Sequence, residues 1–463
     1  MENIPIPDGD TLVWRAYGEL VKKSLVGSNV PTLGVDYIFV CPPTEFGIRG
    51  GSAIPDAVTN WNISKVADSL QRADSPLFVV GADGSYYTSL QAYLNAVKVK
   101  KITPEQEQEI DAAITRQAKL EDEATTMKEQ AEAKWAKDKT AKKNKVSFQK
   151  WAVANAPSYL AKRKQVQQAA GQVRLLQSKY YGAVAATLQT QISKLEVLAG
   201  DDTQSNPGFN MPCYLPDYQI DPQALKNGLR VENLEASSLN YRPLYAIEGY
   251  EKACDDWIKG VSGADTTWTF NFQSVSHNDW TSLGHSTKIS RQSNSFFFFF
   301  SKTSSTSTKT TNLDFGSTDW QKQTSITLRA KGPVQTFNVT AGLWDVPGVR
   351  KLYPTLLQGE KDTAHDSIKL NKICVGYQVS VTIKFAESLR NQVRSMYQSA
   401  TSTSDSGLRI LGFQFGAGEY GNTSVYRDMK DLKYNENSNE FTLPPSPEGC
   451  PVLLGLLGRK LGA

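Results

Sequence analysis

Apolar positions along this chain recur with three rhythms, and the rhythm changes near residue 102 and again near residue 200. Up to Lys101, short apolar runs alternate with turn residues. Tyr37-Ile38-Phe39-Val40 predicts a buried strand ending at Pro42-Pro43. Leu77-Phe78-Val79-Val80 predicts another, closed by the turn Gly81-Ala82-Asp83-Gly84. Leu90, Tyr93, Leu94 and Val97 then fall at helical spacing within 86–99. Residues 1–101 therefore read as a small mixed α/β domain.

From 102 to 200 the spacing is helical. Thr103-Pro104-Glu105-Gln106 is a helix start: Thr103 caps, proline suits the first turn, and Gln106 closes a capping box. Ala113, Gln117, Leu120, Ala124, Met127 and Ala131 then form a seam at alternating three and four. Acids (Glu105, Glu107, Glu109, Asp111) open this helix and lysines (Lys137 to Lys145) close it, as the helix dipole favours. Helix restarts at Ser147-Phe148 and breaks at Asn155-Ala156-Pro157. A long helix follows, with Val166, Val173, Leu176, Tyr180, Val184, Leu188, Ile192 and Leu195 along one stripe up to Gly200. Two such helices joined by a basic corner make a long antiparallel helical hairpin.

Beyond a proline-rich connector, residues 201–463 are strand-rich. Strands are expected at 268–273, 325–331, 334–340, 373–385 and 408–415, with helices at 250–259 and 387–398. The fold class is accordingly α+β: a mixed domain over 1–101, a helical hairpin over 102–200, and a β-rich domain over 201–463.

Inside that last region stand five consecutive phenylalanines, Phe296, Phe297, Phe298, Phe299 and Phe300. Successive strand residues point to opposite faces, so the run loads both faces with aromatic rings. Each buried ring contributes roughly 1.5–3 kcal/mol, so both faces must leave water. A strand covered on both sides in the protein's own core satisfies this. An apolar tip on a hairpin also does, if it meets a partner or a lipid surface. The flank Ser301 to Thr311, rich in hydroxyls and β-branched residues, favours extended chain of the kind such a hairpin needs. It lacks the apolar–polar alternation of a barrel wall, which points to a tip or anchor.

Composition narrows the chemistry. Lys and Arg number 51 against 47 Asp and Glu, a net charge of +4, too mild to point to nucleic acid. The five cysteines are widely spaced and odd in number, so reduced thiols are expected. There is no basic-then-apolar leader and no run long enough for a spanning helix, which predicts a cytoplasmic protein. His277, Asp279 and His285 are the closest approach to a ligand set, but no helical His pair accompanies them, so no metal is predicted. Gly416-Ala417-Gly418-Glu419-Tyr420-Gly421 follows a strand pattern but opens no crossover helix, so no dinucleotide site and no cofactor is predicted. No motif nominates a catalytic residue.

The stretch Ser147-Phe148-Gln149-Lys150-Trp151-Ala152 to Ala156-Pro157-Ser158-Tyr159 is similar to a segment of uncharacterised fungal proteins. Those proteins also combine a long helical region with a Ser-rich, Phe-containing β region. The resemblance covers the middle of the chain and implies no activity.

The leading functional expectation is a non-enzymatic, pore-forming-like or membrane-interacting protein. It would self-assemble through the helical hairpin and an apolar β tip at Phe296 to Phe300. Its expected partners are a lipid membrane and further copies of the chain. One alternative is a soluble homo-oligomeric scaffold or storage protein. Another is an enzyme or small-molecule binder with a pocket between helices and sheet, lined by Trp268, Trp280, Trp320 and Trp344.

Overall fold

A computed structural model describes residues 8–45, 56–97, 102–140, 148–181, 183–200, 205–214, 239–275, 279–286, 298–304, 311–316, 320–404, 406–416, 426–446 and 448–463. The class is α+β, with helices and antiparallel sheets in separate stretches. The longer helices are α1 (Asp8–Val26), α2 (Asp56–Ala67), α3 (Tyr86–Ala96), α4 (Pro104–Thr140), α5 (Phe148–Asn155), α6 (Pro157–Tyr181), α7 (Ala183–Gly200), α8 (Tyr250–Lys259) and α9 (Arg390–Thr401). Two compact units form. One holds Met1–Leu90, Leu198–Asp345 and Asp362–Ala463; the other holds Gln91–Val197 and Val346–Lys361.

The expected N-terminal domain over 1–101 is not separate. Strand β1 (Asp36–Glu45) pairs antiparallel with β17 (Val452–Lys460), which joins the two ends of the chain in one sheet. That sheet also holds β4 (Tyr245–Ile247), β9 (Gln335–Ala341) and β10 (Ile368–Gly376), in the order β1-β17-β10-β9-β4. Val452, Leu453, Leu454, Leu456 and Gly455 give β17 a continuous apolar core, as a strand covered on both faces needs.

Helix α1 lies against β1, β10 and β17. A Cβ added at Gly455 would stand 2.2 Å from Val21 Cγ1 and 2.9 Å from the Phe39 carbonyl oxygen, so the close approach requires glycine. The next residue back makes a bulge. Gly455 pairs with Val40 and Cys374, while Leu453 pairs with Thr44 and Val375, which skips Leu454 on both sides. Its carbonyl instead accepts the buried Tyr17 hydroxyl at 2.8 Å. Helix and sheet are thus fastened by a hydrogen bond as well as by packing.

Two N-terminal expectations shift. The first strand runs through Pro42-Pro43 to Glu45, because β1 is an edge strand whose register slips between Val40 and Thr44. Residues 77–80 make only a bridge from Leu77 to Val40. The Gln71 side chain stands in for a strand partner there. Its Nε2 donates to the Val79 carbonyl at 2.8 Å, and its Oε1 accepts the Val79 N–H at 3.2 Å.

Two further five-stranded sheets and the antiparallel pair β2 (Asn210–Tyr214) and β3 (Leu239–Pro243) complete this unit. One contains β5 (Thr266–Thr269), β8 (Ser325–Ala330), β11 (Ser380–Lys384), β15 (Lys433–Asn435) and β16 (Glu440–Leu443), ordered β15-β16-β11-β8-β5. The other contains β6 (Phe300–Ser304), β7 (Thr311–Asn312), β12 (Ser406–Ile410), β13 (Phe413–Gly416) and β14 (Tyr426–Arg427), ordered β14-β13-β12-β6-β7. The strand expected over 373–385 is two strands, β10 and β11, parted at Gln378, whose φ is 44°. The one expected over 408–415 is the hairpin β12–β13. Leu411 and Gly412, at φ 46° and 86°, form its two-residue turn, with both central residues in the left-handed region.

The second unit is built on the helical hairpin. At its start the Thr103 N–H donates to Gln106 Oε1 at 3.1 Å and the Gln106 N–H to Thr103 Oγ1 at 3.4 Å, the reciprocal capping box. Helix α4 then runs 37 residues, roughly 55 Å at the usual rise. Helix α6 packs along it, with Lys162 Nζ 2.7 Å from Glu123 Oε2 and the Tyr180 hydroxyl donating to Glu109. These pairs mark an antiparallel register. The expected helix over 157–200 is α6 and α7, with residue 182 between them outside the described residues. At the other end, Trp151, Ala152, Ala156 and Tyr159 pack with Ala131, and Trp135 and Phe148 lie against them.

Tyr17→Phe removes the hydroxyl that the Leu454 bulge carbonyl accepts, without changing ring packing. It should lower the unfolding free energy by about 1–3 kcal/mol in a chemical denaturation curve, with unchanged far-ultraviolet circular dichroism.

Candidate functional site

Of the five phenylalanines, Phe298, Phe299 and Phe300 are buried, whereas Phe296 and Phe297 lie outside the described residues. The rings of Phe299 and Phe300 belong to the main core. Phe299 meets Phe315 and Phe385 at 6.5 and 5.9 Å between centres, and Phe300 meets Phe385 and Phe441 at 5.2 and 5.5 Å. Their backbone is committed as well. Phe300 pairs with Ile410, and the carbonyls of Phe299 and Phe300 accept the N–H groups of Leu411 and Leu313 at 2.7 and 3.1 Å. These three rings line no water-facing tip in this structure; both faces of the chain find cover in its own sheets.

One polar group enters this apolar region. The Phe299 N–H donates to Oδ1 of Asp10 on α1 at 2.6 Å, while Oδ2 of the same carboxyl is buried and finds no hydrogen-bond partner among the described residues. Burial pushes the Asp10 pKa up to about 8, and the Phe299 bond only partly opposes it. At neutral pH the group is held largely as a neutral acid.

A second polar cluster joins α2, α3, β4 and β10. Asp68 accepts the Tyr245 hydroxyl at 2.6 Å and the Tyr87 N–H at 2.9 Å, and Ser85 also bonds it. Burial raises its pKa while these bonds lower it. Asp345 accepts the Tyr86 hydroxyl at 2.6 Å and Lys369 Nζ at 2.7 Å, and that ammonium also sits 3.8 Å from the Tyr86 ring centre. Burial lowers the Lys369 pKa, and Asp345 opposes the shift. Trp344 packs among Tyr86, Tyr87 and Tyr245. Each charge here answers another within the network, which is the chemistry of a bracket between elements.

Among the described residues, no group of His, Cys, Asp and Glu gathers as a metal site. His285 is buried, with Nδ1 3.0 Å from the Ala73 carbonyl oxygen and Nε2 2.9 Å from that of Ile38, so both ring nitrogens are engaged. Burial pulls its pKa below the ordinary value and the two carbonyls pull the other way. Asp279 accepts the Thr281 N–H at 2.9 Å, and His277 lies outside the described residues. Gly416 ends β13 at φ 71°, and residues 417–425 are not described. Trp268, Trp280 and Trp320 are core residues, with the Arg15 guanidinium 5.1 Å over Trp280. The five cysteines are buried and none forms a disulfide.

Among the described residues, clefts open to solvent include two. One, of 310 Å³, lies between α1 and residues 269–275, where the facing charges Glu19 and Lys22 pair with each other at 3.2 Å. The other, of 280 Å³, runs between α4 and α6. It is floored by Ala124, Tyr159 and Val166 and edged by Glu121, Lys128 and Arg163. Sequence reasoning placed the seam of this hairpin but not the cleft, which appears only once the register of α4 against α6 is known.

No protein-family model, curated protein or solved structure matches the chain. The reading of its site therefore rests on geometry.

The Asp10 carboxyl has a folded value above its ordinary 3.8, so its contribution to stability is fully present below about pH 4 and is lost as pH rises through about 8. Against Asp10→Asn, the wild-type protein should lose relative stability at up to roughly 1.4 kcal/mol per pH unit up to that point, then level off. Paired urea denaturation curves from pH 5 to pH 9 measure it. A constant difference would place the carboxyl in contact with water.

Proposed function

We propose that this chain is a non-enzymatic assembly protein that associates with copies of itself through its helical hairpin. The observation that carries the reading is how little of α4 is covered. Among its described side chains Ile110, Ala124 and Ala131 are buried, while Leu120 and Met127 of the same seam are half-buried. Ile114 beside the seam is 44% exposed. A helix this long gains most of its stability from packing an apolar face, and two helices alone leave one flank of that face open. Helical hairpins close such flanks by pairing into four-helix bundles.

Other features favour assembly over the competing readings. Phe298 to Phe300 are spent on the core, which removes three rings from any membrane-seeking tip. No helix among the described residues is long and apolar enough to cross a membrane. The buried titratable clusters are engaged with their own neighbours rather than gathered around a cleft.

Sedimentation velocity across a range of protein concentrations tests the reading. It should return a species of twice the chain mass or a higher multiple, growing with concentration. Liposomes of anionic phospholipid should neither pellet with the protein nor release an entrapped dye. A monomer at every concentration, or dye release, would overturn the proposal.

A further inference from the structure

The face of α4 beside the open cleft has an order of residues that fits a second copy of itself. Ile114, Glu121, Lys128 and Trp135 follow one another at intervals of seven, so they share one stripe of the helix. From end to end the stripe reads apolar, acidic, basic, apolar over about 30 Å. Its midpoint falls between Ala124 and Thr125, where the side chains are small and the cleft opens. Turned end for end, the stripe meets its own complement: Glu121 opposite Lys128, and Ile114 opposite Trp135.

We infer that two copies of this chain dock through this stripe as an antiparallel α4–α4 pair about a two-fold axis near Ala124 and Thr125. This rests on the assembly reading above and specifies its surface. A two-fold interface must be self-complementary, with residue i meeting j and j meeting i. A foreign helix of one charge sign matches half of the stripe and clashes with the other half, whereas a second copy matches both halves.

The present partners of these groups are weak and local. Glu121 accepts Gln117 Nε2 at 2.8 Å one turn away, and Lys128 stands 3.7 Å from Glu132. Both contacts are exposed and exchange readily for an intermolecular pair. Arg163 also lines the cleft, its guanidinium 5.9 Å from the Tyr159 ring centre. Ile114 gains cover at the same step by meeting the half-buried Trp135 of the second copy.

Charge reversal tests the arrangement on the full-length protein by sedimentation velocity. Glu121→Lys alone and Lys128→Glu alone should each weaken self-association by about tenfold or more, since each homodimer then opposes like charges twice. Mixing the two variants should restore wild-type association, because every contact across the mixed pair is again acid to base. The double variant carrying both changes should also associate like wild type. Circular dichroism should be unchanged throughout, because all these positions lie on the hairpin surface. If the wild type associates and neither reversal nor mixing alters it, the α4 stripe is not the interface, and the assembly reading survives on another surface. If the wild type stays monomeric, both fall.

Discussion

Everything in the larger unit depends on β17 lying between β1 and β10. That strand is apolar on both faces, so it is stable only when sheet neighbours complete its hydrogen bonds and helix α1 seals it from water. The bulge at Leu454 shows how tightly this is arranged. A register slip would leave a buried carbonyl without a partner, and the Tyr17 hydroxyl comes from the opposite layer to meet it. Gly455 beside it gives the helix room to come close enough. The glycine and the tyrosine solve one geometric problem together.

How much of this was legible in the linear chain depends on whether local chemistry or long-range pairing decides each element. The capping box at Thr103 and Gln106 was legible because both partners lie within one turn. The break at Ala156-Pro157 and the strands at 325–330 and 335–341 were legible for the same reason. Helix α1 was not, since Leu12, Val13, Trp14, Ala16 and Tyr17 are buried almost in succession and leave no polar face to mark a period. The turn at Gln378 was hidden because a non-glycine residue adopts a left-handed conformation there. The union of the first and last strands could not be read from either end alone, so the boundary placed at residue 101 had no local sign against it.

The phenylalanine run shows the limit from the other side. Its need for cover was legible, but the source of the cover was not, because Phe315, Phe385 and Phe441 are distant in sequence. Nor did anything near the run announce Asp10, which reaches the Phe299 amide from a helix almost three hundred residues earlier. The charge order along α4 stood in the sequence throughout. It acquired meaning only when the open cleft beside it showed which stripe of the helix is available.

The closure of β1 on β17 also sets a timetable for synthesis. The helical hairpin is built from neighbours in sequence and can form as soon as its two arms have been made. The principal sheet has no such freedom. Helix α1 and β1 are made more than four hundred residues before β17, the strand they need. During that interval a greasy helix and an unpaired strand edge wait together, and a chaperone that shields them has a clear physical task.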